Sequence, residues 1–217
     1  MRFLTVFIWI LLFATCTSNG PATEFLANTR DTTISLKDSL GNLKITIPDR
    51  YDTFLKWTQY SDCGSCGTER YRFQPKRLPI FLESGFFWDD LKDSIDQVTV
   101  IHRQRIIYSD SSDNDFMKSL HPKLVTDARI DPLIYKNKHV FDTLQLINGK
   151  WTSLITSDYY DTITRQYSKT VWGAILLRGK LIQIQFSLLT KEKDSISENF
   201  VNKSKQMMNK VFSLNGI

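Results

Sequence analysis

With 217 residues, 41% of them hydrophobic and 12% aromatic, the chain can build one ordinary domain with a real core, which excludes a disordered polypeptide. Its 28 basic and 23 acidic residues leave a net charge of +5. The basic residues are scattered, so no nucleic-acid-binding stripe is suggested, and the modest excess suits anionic lipid or polysaccharide at most.

The chain opens with "MRFLTVFIWILLFATCTSNG", in which Arg2 precedes an apolar run over 3–14. That run is shorter than the roughly 20 residues a spanning helix needs. A basic head, an apolar middle and a small-residue end read as an export signal over 1–15. "LLFATC" resembles the lipobox of bacterial lipoproteins, with Ala14 and Thr15 at the small positions. The resemblance implies that Cys16 is acylated and becomes the new N-terminus. Several acyl chains, each methylene contributing about 0.8 kcal/mol, would then hold the protein on a membrane. Only Glu24 follows as an acidic residue in "TSNGPATEF", which favours the periplasmic side over surface export. Residues 16–31 read as the lipidated cysteine and a flexible tether, rich in Asn, Gly, Pro and Thr. Residues 32–217 read as one domain.

In that domain, "TTISLKD" and "NLKITIP" alternate polar and apolar residues around a turn-like "SLGN" and predict a hairpin, with Leu43, Ile45 and Ile47 on one face. "TERYRFQP" predicts a strand with Tyr71 and Phe73 against Arg70 and Arg72, ended by Pro75. "FFWDDLKDSID" repeats Phe87, Leu91 and Ile95 every four residues and predicts a short amphipathic helix. "QVTVIHRQRIIY" returns to strand composition, with His102 on the face opposite Arg103 and Arg105. An Asp/Ser/Asn-rich loop then leads into a helical turn or two, limited by Pro122. "TLQLI", "WTSLIT", "SKTVWGAILL" and "KLIQIQFSLL" predict four strands, with hairpin signals at "NGK" and "RGK". In the last, Ile182, Ile184, Phe186 and Leu188 face a core, while Gln183, Gln185 and Ser187 face a wetter side. Ser195 with Glu198 predicts a capping box, and Ile196, Phe200, Met207 or Met208, and Val211 form the apolar stripe of a final helix.

The predicted fold is α+β: a mostly antiparallel sheet with a long C-terminal helix packed across one face. The order of strand, RG turn, long strand, polar link and final helix, with the opening "NLKITIPDRY", resembles PsbP-like domains. The resemblance implies a non-enzymatic binding or assembly role.

Cys63-Gly64-Ser65-Cys66 is the sharpest chemical feature. It lacks the following His of a haem site, and His102, His121 and His139 are too dispersed to complete a zinc site. A thioredoxin-like role needs the first Cys at a helix N-terminus, whereas a strand follows here; Arg70 and Arg72 would still favour a thiolate. Outside the cytoplasm such a pair tends to oxidise and to pin its Gly-rich loop. Asp110 to Asp115 have the oxygen density of a calcium loop but lack its Gly and Glu. Tyr159, Tyr160, Arg165 and Tyr167 are the candidate ligand-binding residues, suited to sugar or peptide. No GxSxG, HExxH, P-loop or Rossmann fingerprint occurs, so no cofactor, metal or catalytic residue is expected. The chain reads as a lipid-anchored, periplasm-facing envelope lipoprotein, a non-enzymatic module for an envelope protein or glycan. The alternative is a thiol–disulfide redox protein using Cys63 and Cys66.

Overall fold

The computed structural model describes residues 28–60, 67–80, 94–103, 113–128, 139–162, 164–177 and 179–215. The fold is α+β, with nine strands and two helices among these residues. Strands β1 (Thr29–Leu36) and β2 (Gly41–Pro48) form a separate antiparallel hairpin. The other seven are β3 (Thr53–Gln59), β4 (Thr68–Gln74), β5 (Ile95–Arg103), β6 (His139–Ile147), β7 (Lys150–Asp161), β8 (Gln166–Leu177) and β9 (Lys180–Thr190). They make one antiparallel sheet in the order β3-β4-β5-β9-β8-β7-β6. Helix α1 spans Asp113–Ala128 and α2 spans Ser195–Leu214.

Turn chemistry sets much of this order. Asn148 (φ 51°) and Gly149 (φ 79°) are both left-handed, as a two-residue β6–β7 turn requires. Gly179 (φ 72°) does the same between β8 and β9. Asp38, Ser39 and Gly41 carry positive φ in the β1–β2 turn.

The sheet is covered on both faces. On one side lie the hairpin and α2, whose Phe200, Met207, Met208, Val211 and Phe212 join Leu43, Ile45, Ile47, Val98, Val100, Ile182, Ile184 and Phe186 in the main core. Asn215 fastens the two coverings together, accepting from Lys44 N at 2.8 Å and donating to Lys44 O at 2.8 Å. Gly173 lets α2 approach closely: a Cβ there would stand 2.5 Å from Met208 Sδ and 2.7 Å from Phe212 Cζ. On the other side α1 buries Met117, Leu124 and Val125 against Ile155, Ala174, Leu176 and Leu181.

Several expectations change. β1 begins at Thr29, inside the tether-like stretch; Asn28 O accepts from Asp49 N at 2.9 Å and Asp31 from Lys210 Nζ at 2.8 Å, which hold it down. α1 runs through Pro122 for 16 residues instead of ending near it. Pro122 sits on the exposed side, and the apolar residues buried on either side of it outweigh one missing bond. The cap of α2 is Asp194 with Ser197, one residue earlier than Ser195 with Glu198. Asp194 Oδ1 accepts from Ser197 N at 2.8 Å, and Ser197 Oγ from Asp194 N at 2.9 Å, so a hydroxyl replaces the usual Glu. Ile95 opens strand β5 rather than closing a helix; the rest of that helical prediction lies outside the described residues, as do positions 104–112.

Candidate functional site

The sheet's polar face carries a groove of about 390 Å³ beside α1. Its floor comes from the alternation of three long strands. Residues of one parity on β7, β8 and β9 point to α2, which leaves Ser157 and Tyr159, Ser168, Thr170 and Trp172, and Gln183 and Gln185 on this side. Register aligns them in rows: Tyr159 opposite Ser168, Ser157 opposite Thr170, and Trp172 opposite Gln185. Leu124 and Asp127 of α1 form a wall. Asp127 is the one acidic or basic residue lining the groove among the described residues. A cleft of this size with aromatic surface and neutral donors and acceptors suits a small or extended polar ligand.

The same face continues beyond the groove. Arg70 and Arg72 of β4 are aligned with Ile101 and Thr99 of β5. Arg72 is 1% exposed; its Nε donates to Thr99 Oγ1 at 3.2 Å and its guanidinium lies 4.8 Å over the Trp57 ring. Burial holds Arg70 at about 10, and burial together with Arg70's charge holds Arg72 at about 10. Next to α1, His121 Nδ1 lies 2.7 Å from Ser153 Oγ and Nε2 lies 3.4 Å from Asp142 Oδ1. These are the partners of a Ser-His-Asp relay. Ser153 is buried, does not line the groove and has its hydroxyl on His121, so the three act as a strap between α1 and the sheet.

The opposite face holds a buried polar network at the β1–β2 turn. Lys37 Nζ contacts Glu69 Oε2 at 2.7 Å, Thr58 Oγ1 donates to Glu69 Oε1 at 2.8 Å, and Lys37 N donates to Tyr71 Oη at 2.9 Å. His102 Nε2 lies 3.3 Å from Tyr71 Oη, and Lys180 Nζ 3.1 Å from Asp38 Oδ2. Burial lowers the His102 imidazole below its ordinary value.

The four candidate ligand-binding residues are divided by strand alternation. Tyr159 lines the groove. Tyr160 and Tyr167 pair on the other face with ring centroids 4.8 Å apart, and Tyr160 is 40% exposed. Arg165 occupies the β7–β8 turn with φ 56°. Cys16, Cys63 and Cys66 lie outside the described residues. His102 and His121 are on opposite faces of the sheet, and His139 opens β6. Gln183 and Gln185, read from their alternation as the wetter side, turn out to line the groove. Trp172, Thr170 and Ser168 carried the same period-two signal. The α1 wall had none, because packing on a distant strand leaves no local pattern.

No protein-family model matches the chain, and no curated protein matches it. Among solved structures it is similar to a Pseudomonas aeruginosa protein of unknown function that has been suggested to be a regulator, at 10% identity and a TM-score of 0.35, covering 83% of this chain and 94% of that one. It is also similar to LpqN of Mycobacterium tuberculosis, described as involved in cell envelope biogenesis, at 6% identity and a TM-score of 0.33, covering 82% of this chain and 87% of that one. Neither likeness is close enough to carry kinship or function over to this chain.

Proposed function

We propose that this protein is a cell-envelope lipoprotein, anchored through Cys16 and facing the periplasm, that works without catalysis by binding a glycan in the groove between α1 and the sheet. The observation that carries the reading is the groove's lining. Two amides, three hydroxyls and the Trp172 and Tyr159 rings converge in it around a single carboxylate. Sugar hydroxyls are neutral and both donate and accept, so Gln side chains match them without the desolvation cost of burying charge. Aromatic faces take the apolar side of a pyranose.

Muramidase-solubilised peptidoglycan, titrated into the full chain, should bind saturably. Gln185→Ala and Trp172→Ala should each weaken it about tenfold, the cost of one well-placed hydrogen bond or stacking contact. Replacing Cys63 and Cys66 by Ser should leave affinity unchanged. Absence of binding, or indifference to both groove substitutions, would overturn the reading; loss of function in the double-Ser chain alone would favour the thiol–disulfide alternative. The anchor is tested separately. The intact mass of membrane-extracted protein should correspond to a chain beginning at an acylated Cys16.

A further inference from the structure

A second cavity, of about 240 Å³, lies on the opposite side of the sheet, where α2 passes the ends of β1 and β2. Three of its lining residues, Ile196, Phe200 and Met207, come from one flank of α2 and are apolar. Two more, Arg50 and Lys203, bring positive charge, and no acidic residue lines it among the described residues. Arg50 commits Nε and Nη2 to Asp96, at 2.7 and 3.0 Å, so its charge is already paired. Lys203 forms no ion pair among the described residues, whereas Lys193 and Lys210 on either side of it in sequence reach Glu198 and Asp31.

The decisive group is Ser204. It lines the cavity, is 1% exposed, and its hydroxyl has no hydrogen-bond partner among the described residues. A buried hydroxyl left unpaired is rare in a native fold and calls for an explanation. Here it lines the same cavity as Lys203, with Phe200 one helical turn away, so an anion with an apolar body would satisfy all three groups together.

We propose that this cavity is a second binding site, for an amphipathic carboxylate. The apolar chain lies against Ile196, Phe200 and Met207. The carboxylate accepts from Ser204 Oγ and faces the Lys203 ammonium. With Arg50 paired to Asp96, the charge left to balance is that of Lys203, which a singly charged carboxylate neutralises and a phosphate dianion exceeds. This site shares no residue with the groove, so it stands whatever the groove binds.

The test uses hexanoate, which is short enough to stay in water, and the full chain with its methionine methyls labelled with carbon-13. Hexanoate should shift the Met207 methyl saturably and leave Met117, on the far face, in place. Lys203→Gln and Ser204→Ala should each weaken binding about tenfold, as loss of a charge-assisted hydrogen bond does. Hexanol, of the same length without charge, should bind at least about tenfold more weakly. Ser204→Ala removes an unpaired hydroxyl, so its melting temperature should not fall, and Lys203→Gln changes a partly exposed side chain. A Met207 signal that does not move, equal binding of hexanol, or unchanged affinity in both variants would overturn the proposal.

Discussion

Asp96→Ala should lower the free energy of unfolding by about 3 kcal/mol, read as a fall in the urea midpoint at constant slope. The Asp96 side chain is 8% exposed and serves three donors. Oδ2 accepts from Arg50 Nε at 2.7 Å; Oδ1 accepts from Arg50 Nη2 at 3.0 Å and from Tyr51 Oη at 2.5 Å. Burial and the neighbouring Asp96 carboxylate push the Tyr51 phenol well above its ordinary value, so it stays a donor. Truncation leaves a buried hydroxyl and a guanidinium without their acceptor. Removing one member of a buried pair costs about 3–5 kcal/mol. The lower end applies because a third of the Arg50 side chain meets water. The exposed Lys193–Glu198 pair, 4.0 Å apart, makes the contrast: Glu198→Gln should change stability by less than about 0.5 kcal/mol.

That cluster also marks how far the sequence could be read. Asp96 stood at the end of a stretch with helical spacing, and the strand it belongs to is selected by pairing with β4 and β9. Local periodicity cannot register a partner ninety residues away. β3 also went unread: "TFLKWTQ" has no fully buried residue, so its alternation runs only between half-buried and exposed positions. Where burial is one-sided the reading was sharp. Ile182, Ile184, Phe186 and Leu188 face the core, and Asn148-Gly149 makes its hairpin through two positive φ angles that few other residue pairs adopt. The polar side of that alternation, Gln183 and Gln185, became part of the groove's floor. The four-residue tyrosine and arginine set was split because neighbours along a strand point to opposite faces. Pro122 misled for an energetic reason, since the missing bond of a solvent-facing proline is smaller than the burial of Met117, Leu124 and Val125.

The two faces of the sheet are therefore built for different work. The α2 side is a continuous apolar core closed at one end by the Glu69–Tyr71–His102 network. The other side keeps amides and hydroxyls half-exposed beside a short apolar patch under α1. Ligand binding in the groove thus leaves the main core untouched, and groove substitutions such as Gln185→Ala can be read as affinity changes rather than as unfolding.

Stability should decline as pH falls from 7.5 to 5.5, and His102 should be the cause. Its imidazole is buried among Tyr71, Asp38, Glu69, Lys180 and the Arg103 carbonyl. Burial lowers its folded pKa, against partial opposition from the Arg103 carbonyl and Asp38 and with a further lowering from Lys180. The unfolded histidine takes a proton near pH 6.5. Above that value both states are neutral and the full stability is present. Below it the unfolded chain binds a proton that the folded chain refuses, and stability falls by at most about 1.4 kcal/mol per pH unit until the folded imidazole titrates too. Asp31, held low first by its hydrogen bond from Lys210, loses its contribution only in more acidic solution, below the unfolded carboxylate value. Lys37, raised first by its hydrogen bond to Glu69, acts at the alkaline end. Urea unfolding of the wild type and of His102→Gln at the two pH values separates the causes. The wild type should lose about 1 kcal/mol between them. The variant should start lower, because Gln fills the imidazole's place imperfectly, and should then stay flat. A variant that keeps the wild-type slope would assign the acid sensitivity to another group and leave His102 as packing alone.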